Sequence, residues 1–135
     1  MANALFANAK KLFLDGDIDL LNDTIKVVLI DTDDDDPDVT TDDYYNDILA
    51  AARVATSGAL TSKTTTAGQF DAADVTLSSV TGDVSEELLI WKDTTAEESS
   101  PLIACFDTAT GLPVTPNGGD ITIAWQATSP YIFAL

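Results

Sequence analysis

Asp120-Ile121-Thr122-Ile123-Ala124-Trp125-Gln126 decides the fold, because Ile121, Ile123 and Trp125 alternate with Thr122, Ala124 and Gln126. A period of two is the mark of a strand with one face buried and the other wet. From Arg53 onward, short runs rich in Thr, Val and Ile recur between turn residues, at the roughly 8–12-residue spacing of a sandwich or barrel. Strands are predicted near Ala59 to Thr65, Asp74 to Val80, Leu88 to Lys92, Leu102 to Asp107, Asp120 to Gln126 and Tyr131 to Ala134. Leu88 to Trp91 is apolar throughout, which predicts a central strand with Ile90 and Trp91 on opposite faces. Thr81-Gly82-Asp83, Asn117-Gly118-Gly119-Asp120 and Ser129-Pro130 supply the turns, since glycine reaches positive φ freely and proline fixes φ and lacks a ladder donor.

Toward the N-terminus the period changes. Leu5, Phe6, Ala9, Leu12 and Phe13 recur at spacings of three and four, so Ala2 to Leu14 reads as an amphipathic helix stopped by Gly16. Val27 to Ile30 is β-branched and apolar on both faces, a pattern that suits a strand covered on both sides, although period alone does not separate it from a short buried helix. Residues 31 to 43 are acidic, contain Pro37 and have no apolar period, so they read as a surface loop. Tyr44, Tyr45, Ile48, Leu49 and Ala52 return to helical spacing, which predicts a short helix from about Asp42 to Ala52, capped by Thr41 or Asp42. The expected architecture is mainly β. It is an antiparallel β-sandwich or barrel-like sheet with an N-terminal helix and one short inserted helix packed against it. The 135 residues leave room for one domain, residues 1 to 135, in which 1–15 form a helix or arm.

Composition removes several functions. The formal charge is -17, from 23 acidic and 6 basic residues, so a nucleic-acid backbone or an anionic membrane surface would be repelled. No apolar run approaches the ~20 residues of a membrane-spanning helix. The opening Met1 to Lys11 builds no secretory apolar core, so synthesis and folding in a cytoplasm are expected. There is no histidine and one cysteine, which deprives the chain of the commonest general base and of ordinary zinc ligation. No phosphate-cradling glycine motif occurs. Carboxylates abound, but a sugar-cleaving pair also needs a cleft that so small a domain rarely offers. The expectation is a non-enzymatic protein without a cofactor. Cys105 lies in the apolar run Leu102 to Phe106 and reads as a small buried side chain, with a reactive thiol as the alternative. Trp91 and Trp125 sit inside strand patterns and read as core, with a binding role as the alternative.

The aspartate run is the sharpest local feature. Asp31, Asp33 and Asp35 have the spacing that opens a calcium-binding EF-hand loop, which makes them candidate metal ligands. Yet Asp36 stands where that loop needs glycine, Asp42 stands where it needs a bidentate glutamate, and Ile25 to Ile30 before it reads as strand. The alternative is a solvated acidic loop. Asp15, Asp17 and Asp19 repeat the spacing around Gly16 and read as a polar turn.

Several stretches together carry a resemblance. Met1-Ala2-Asn3-Ala4-Leu5-Phe6, Gly16-Asp17-Ile18-Asp19-Leu20, Asp23-Thr24-Ile25-Lys26-Val27-Val28-Leu29, Ala52-Arg53-Val54-Ala55-Thr56, Phe70-Asp71-Ala72-Ala73-Asp74-Val75-Thr76, Trp91-Lys92-Asp93-Thr94 and Ser100-Pro101-Leu102-Ile103-Ala104 take part, and Asp107 to Trp125 is the most specific. In these the chain resembles, from end to end, a family of small proteins that tailed bacteriophages encode among their virion structural genes. The Asp31 to Asp38 run departs from it, being longer and more acidic than is usual there.

The resemblance implies a particle component made in the host bacterial cytoplasm, and it brings no catalytic residues. A head-decoration (cement) protein bound to the major capsid protein on the head exterior is the first expectation. A tail, baseplate or receptor-contacting accessory protein and a calcium-dependent binding module are the alternatives. A fibre would need a coiled-coil shaft, and no sustained heptads are present. Self-association into a small symmetric oligomer is expected, since lattice axes present matching sites to several copies. The candidate contact surfaces are the N-terminal arm, through Leu5, Phe6, Leu12 and Phe13, and the proline-punctuated loop carrying Leu112, Pro113 and Pro116. The arm is favoured if its apolar face exceeds what a small sheet can cover, the alternative being that it closes the protein's own core.

Overall fold

Strands rich in buried apolar side chains assemble the centre of the molecule, described here for residues 3–135 from a computed structural model. β1 (Ala4–Leu5), β2 (Ile25–Ile30), β3 (Arg53–Thr56), β6 (Glu87–Lys92) and β7 (Leu102–Phe106) form a five-stranded antiparallel sheet in the order β1-β7-β6-β2-β3. The sequence pattern explains the order. Val27 to Ile30, Glu87 to Trp91 and Leu102 to Cys105 are buried at every position, so these strands must be flanked on both edges and covered on both faces.

Register sorts the side chains. Val27, Ile90 and Ala104 lie opposite one another, as do Leu29, Leu88 and Phe106, which places them on one face. Val28, Leu89 and Cys105, with Ile30 and Glu87, lie on the other. Ile90 and Trp91 are consecutive in β6 and therefore point to opposite faces, as the sequence predicts.

The first face is covered by a long, interrupted ribbon. β4 (Gln69–Phe70) pairs with β9 (Phe133–Ala134), and β5 (Val75–Leu77) pairs with β8 (Ile121–Ile123). These are two ends of one antiparallel pairing between residues 69–77 and 121–134, parted where residues 124–132 bulge against only four residues of the partner. Trp125 bridges the gap, its backbone N–H donating to Asp74 Oδ1 at 3.0 Å and its indole to the Ala73 carbonyl at 3.2 Å. The second face is covered by residues 31–52, with the Tyr45 ring stacked on Trp91 at 3.9 Å and 9°. The architecture is mainly β, with antiparallel sheets layered like a sandwich and no closed barrel, and the buried apolar residues form a single cluster.

The strands expected at Asp120 to Gln126 and Tyr131 to Ala134 shorten to Ile121–Ile123 and Phe133–Ala134 where the chain bulges around Trp125, and four further elements differ from the sequence reading. The N-terminal helix α1 runs over Ala7–Asp15, while Ala4 and Leu5 instead pair with Cys105 and Ala104 because β7 would otherwise leave an open edge. Met1 and Ala2, part of the expected arm, lie outside the described residues. Gly16 ends α1 at φ 80°, giving its N–H to the Phe13 carbonyl while Asp17 donates to that of Leu12, a glycine C-cap.

The inserted helix over 42–52 is not formed. Two 3-10 turns, Tyr45–Asp47 and Ala50–Ala52, flank an extended Ile48 and Leu49. Side chains take the segment's backbone groups, both those of the expected first turn and those that a helix would pair internally. Asp47 accepts from the N–H groups of Asp43 and Tyr44, Asp35 accepts from Leu49, and Arg53 donates to the carbonyls of Tyr45 and Ile48.

The strand expected at Ala59 to Thr65 is reduced to one bridge between Thr64 and Asp71, since Leu60 donates to Ile25 and Ala73 donates to Thr61, two different partners. β3 was not anticipated: it is an edge strand with Arg53, Val54 and Ala55 half-buried and Thr56 exposed, so it shows no clear apolar period.

Candidate functional site

Residues 31–52 make the acidic side. Asp33, Asp34, Asp36 and Asp38 are exposed, whereas Asp31 is buried. Among the described residues no Lys or Arg pairs with Asp31 to Asp43. The cations are used elsewhere, in Lys26–Asp93 at 2.6 Å, Lys92–Asp23 at 3.0 Å, Arg53–Glu97 at 2.9 Å and Lys11–Asp15 at 2.5 Å. Hydrogen bonds organise the loop instead. Asp31 Oδ1 accepts from the Asp33 N–H at 2.9 Å, and Asp38 Oδ1 accepts from Thr40 N–H and hydroxyl, which hold the Asp38 carboxyl below its ordinary value. Burial, followed by the neighbouring carboxylates, pushes Asp42 up.

Of the three candidate metal ligands, Asp31 and Asp33 converge and Asp35 does not, because its Oδ2 accepts from Leu49 N–H at 2.7 Å. The converging sets are Asp31, Asp34 and Asp83, and Asp31, Asp33 and Glu86, each with carboxylate oxygens within 4.8 Å of one another. Such oxygens suit a hard cation such as calcium. Asp83 and Glu86 lie some fifty residues away in the chain, so no local spacing could have revealed them. Asp19 is a turn residue: Asn22, through its amide side chain and then its backbone, holds the Asp19 carboxyl below its ordinary value.

The opposite face holds a slot. Its cavity of about 640 Å³ has a floor of Leu29, Leu88 and Phe106, one wall of residues 108–112 and another of residues 121–126. The strap that makes the first wall leaves β7 and is tied down where Ser85 and Val114 exchange backbone hydrogen bonds at 2.8 and 2.9 Å. A second cavity of about 400 Å³ adjoins it, sharing Asn3, Phe106, Gln126, Tyr131 and Ile132, and continues to Ala4 and Leu5. None of the residues lining either cavity is charged. From residue 108 to the end, Asp120 is the one charged side chain. The slot was not foreseen, and this loss of charge was the signal that could have found it.

The expected contact residues divide between these structures. Phe6 is fully buried and so has no surface to offer a partner. Leu5, Leu12 and Phe13 are half-buried against the core, with the Phe13 and Phe133 ring centroids 6.4 Å apart. The arm therefore closes the protein's own core. Leu112 lines the slot, Pro113 is exposed beside it and Pro116 is half-buried. Trp91 is core, while the half-buried Trp125 lines the slot.

Cys105 is buried beneath the acidic side, donating its S–H to Glu87 Oε2 at 3.1 Å. Burial, then the Glu87 carboxyl, pushes the thiol far above its usual range, so it stays protonated and unreactive. Burial likewise raises the Glu87 carboxyl above 4.5. A carboxyl raised on folding favours the folded state fully below its unfolded value, and that contribution is lost as pH rises through the folded value. Glu87→Gln keeps an acceptor for Cys105 and has no charge to bury. Thermal melts across pH should find the variant more stable than the wild type at neutrality, with the difference closing below pH 4.5. A gap that widens in acid would contradict this.

No protein-family model matches the sequence, and no curated protein matches it. What the fold defines is a small antiparallel β domain with an unneutralised acidic loop over one face of its main sheet and a neutral slot over the other. Among the described residues no helix is long and apolar enough to cross a membrane.

Proposed function

We propose that this chain is a non-enzymatic virion component, a head-decoration protein that binds the major capsid protein on the outer surface of a phage head. The observation that carries the reading is the segregation of charge. A protein of charge -17 approaches another chain at least cost through a surface that carries none, and interface centres are depleted of charge and enriched in aromatics. The lining of the slot, with Phe106, Trp125 and Tyr131, carries no charge, and the acidic loop then points away from the lattice. The end-to-end resemblance to virion proteins supports the same reading. A catalytic role has little to work with, since histidine is absent and the one thiol is buried and held protonated. Copies gathered around a lattice symmetry axis would form a small oligomer there. The test is location: on purified particles, density or antibody label belongs on heads. Label confined to tails would overturn the reading in favour of a tail or baseplate protein.

A second reading, a calcium-dependent module, is favoured by the two carboxylate triads that share Asp31, one with Asp34 and Asp83 and the other with Asp33 and Glu86. The two separate in a melting experiment. A decoration protein with a merely solvated loop melts at the same temperature in millimolar calcium and in chelator, and Asp33, Asp34 and Asp36 changed together to Ser leaves it folded. A ligand that binds only the folded state raises the midpoint with concentration. A calcium-dependent rise that Asp31→Asn abolishes would establish the second reading.

A further inference from the structure

The walls of the slot show what shape it accepts. Ile121, Thr122, Ile123, Ala124 and Trp125 all line it, yet successive residues of a strand point to opposite faces. Ile121, Thr122 and Ile123 are the whole of β8, and three successive strand residues border one cavity when that cavity runs along the strand's edge. β8 is hydrogen-bonded to β5 on one side and, among the described residues, has no strand on the other, so the edge that borders the slot is an open one. The opposite wall is again a run of consecutive residues, Thr108 to Leu112, and the floor is the apolar triad Leu29, Leu88 and Phe106. The slot therefore lies along an open strand edge, over an apolar floor, between two continuous stretches of the chain.

We propose that this slot receives an extended, uncharged segment of a partner chain, added as a strand along the free edge of β8. The inference rests on the docking reading above and names the partner's chemistry. Added strands take affinity from main-chain hydrogen bonds and specificity from alternate side chains seated in pockets. Here the inward side chains of the guest meet Leu29, Leu88 and Phe106, and its outward ones lie beside Thr122 and Ala124, both exposed. Charge selects the guest. The lining holds no charged side chain that could pair with a charge of either sign, and burying an unpaired charge is costly, so apolar, Ser or Thr residues fit. A second copy of this chain is the less suitable guest, since each copy brings a charge of -17.

The experiment uses heads assembled without this chain, to which purified full-length protein is added back. Ala124→Glu and Ala124→Trp place a charge or a bulky ring at the exposed rim of the slot, which Ala124 lines, and melting curves verify that each variant folds. Both variants are expected to coat heads at least tenfold more weakly than the wild type. Backbone amides of residues 121–125 in the wild type are expected to exchange more slowly once bound, a readout that needs no variant. If the wild type leaves heads bare, the head reading fails and this proposal with it. If the wild type coats heads but the variants coat equally well, or the 121–125 amides exchange unchanged, the strand addition alone is overturned. Protection of those amides in the free protein that grows with its concentration would identify a second copy as the guest and overturn the partner segment.

Discussion

Trp91→Ala is expected to destabilise the fold by about 3–5 kcal/mol, the cost of truncating a large buried aromatic when the surroundings only partly collapse. Trp91 is 5% exposed and lies flat against Tyr45 at 3.9 Å, with the Lys26 ammonium 5.9 Å from its ring centre. Its removal takes away the surface on which residues 44–52 are laid, so the loss extends beyond one side chain. Trp91→Phe separates packing from polarity. Trp91 Nε1 is buried without a hydrogen-bond partner among the described residues, and phenylalanine keeps an apolar ring while removing that unpaired donor. Chemical denaturation should show the Phe variant losing less than half of what the Ala variant loses. Equal losses would mean that a phenyl ring recovers nothing and that the stability rests on the indole itself.

Arg53→Ala should cost roughly 2–4 kcal/mol, judged from hydrogen bonds to a charged group at about 1.5–3 kcal/mol. The Arg53 side chain is 13% exposed and its guanidinium lies 4.0 Å over the Tyr45 ring. It donates to the Ile48 carbonyl from Nε at 3.1 Å and from Nη2 at 2.6 Å, and to the Tyr45 carbonyl at 2.8 Å. These carbonyls belong to the stretch that fails to become a helix, so the guanidinium takes the place of the missing intrahelical bonds. The exposed Glu97 contact adds little, being screened by solvent. Arg53→Lys should recover less than half of the loss, because one ammonium cannot reproduce a planar fork. Lysine behaving like arginine in denaturation would show that charge alone suffices.

How much of this was legible depended on where each signal was written. β2, β6 and β7 were readable because burial on both faces leaves unbroken apolar runs, and Gly16 announced the end of α1. The 44–52 segment misled because Tyr45, Ile48 and Ala52 keep helical spacing while their backbone is satisfied by Asp35, Asp47 and Arg53, partners that periodicity does not see. Phe6 was read as a candidate contact because an apolar helix face looks the same whether it meets its own sheet or a partner. The slot could not be read as a motif, for its floor and walls come from separate segments that only the fold brings together. Its trace in the sequence was compositional, the near-absence of charge after Asp107.

The claim that the chain clamps a lattice through its neutral face is tested most directly by the thermal robustness of heads. A protein that binds only the assembled lattice adds free energy to that state alone. Heads assembled without it are therefore expected to form and to break at a lower temperature than complete heads, with robustness restored when purified protein is added back. Heads of equal robustness, from particles that have lost attachment to cells, would contradict the account and assign the protein to the tail.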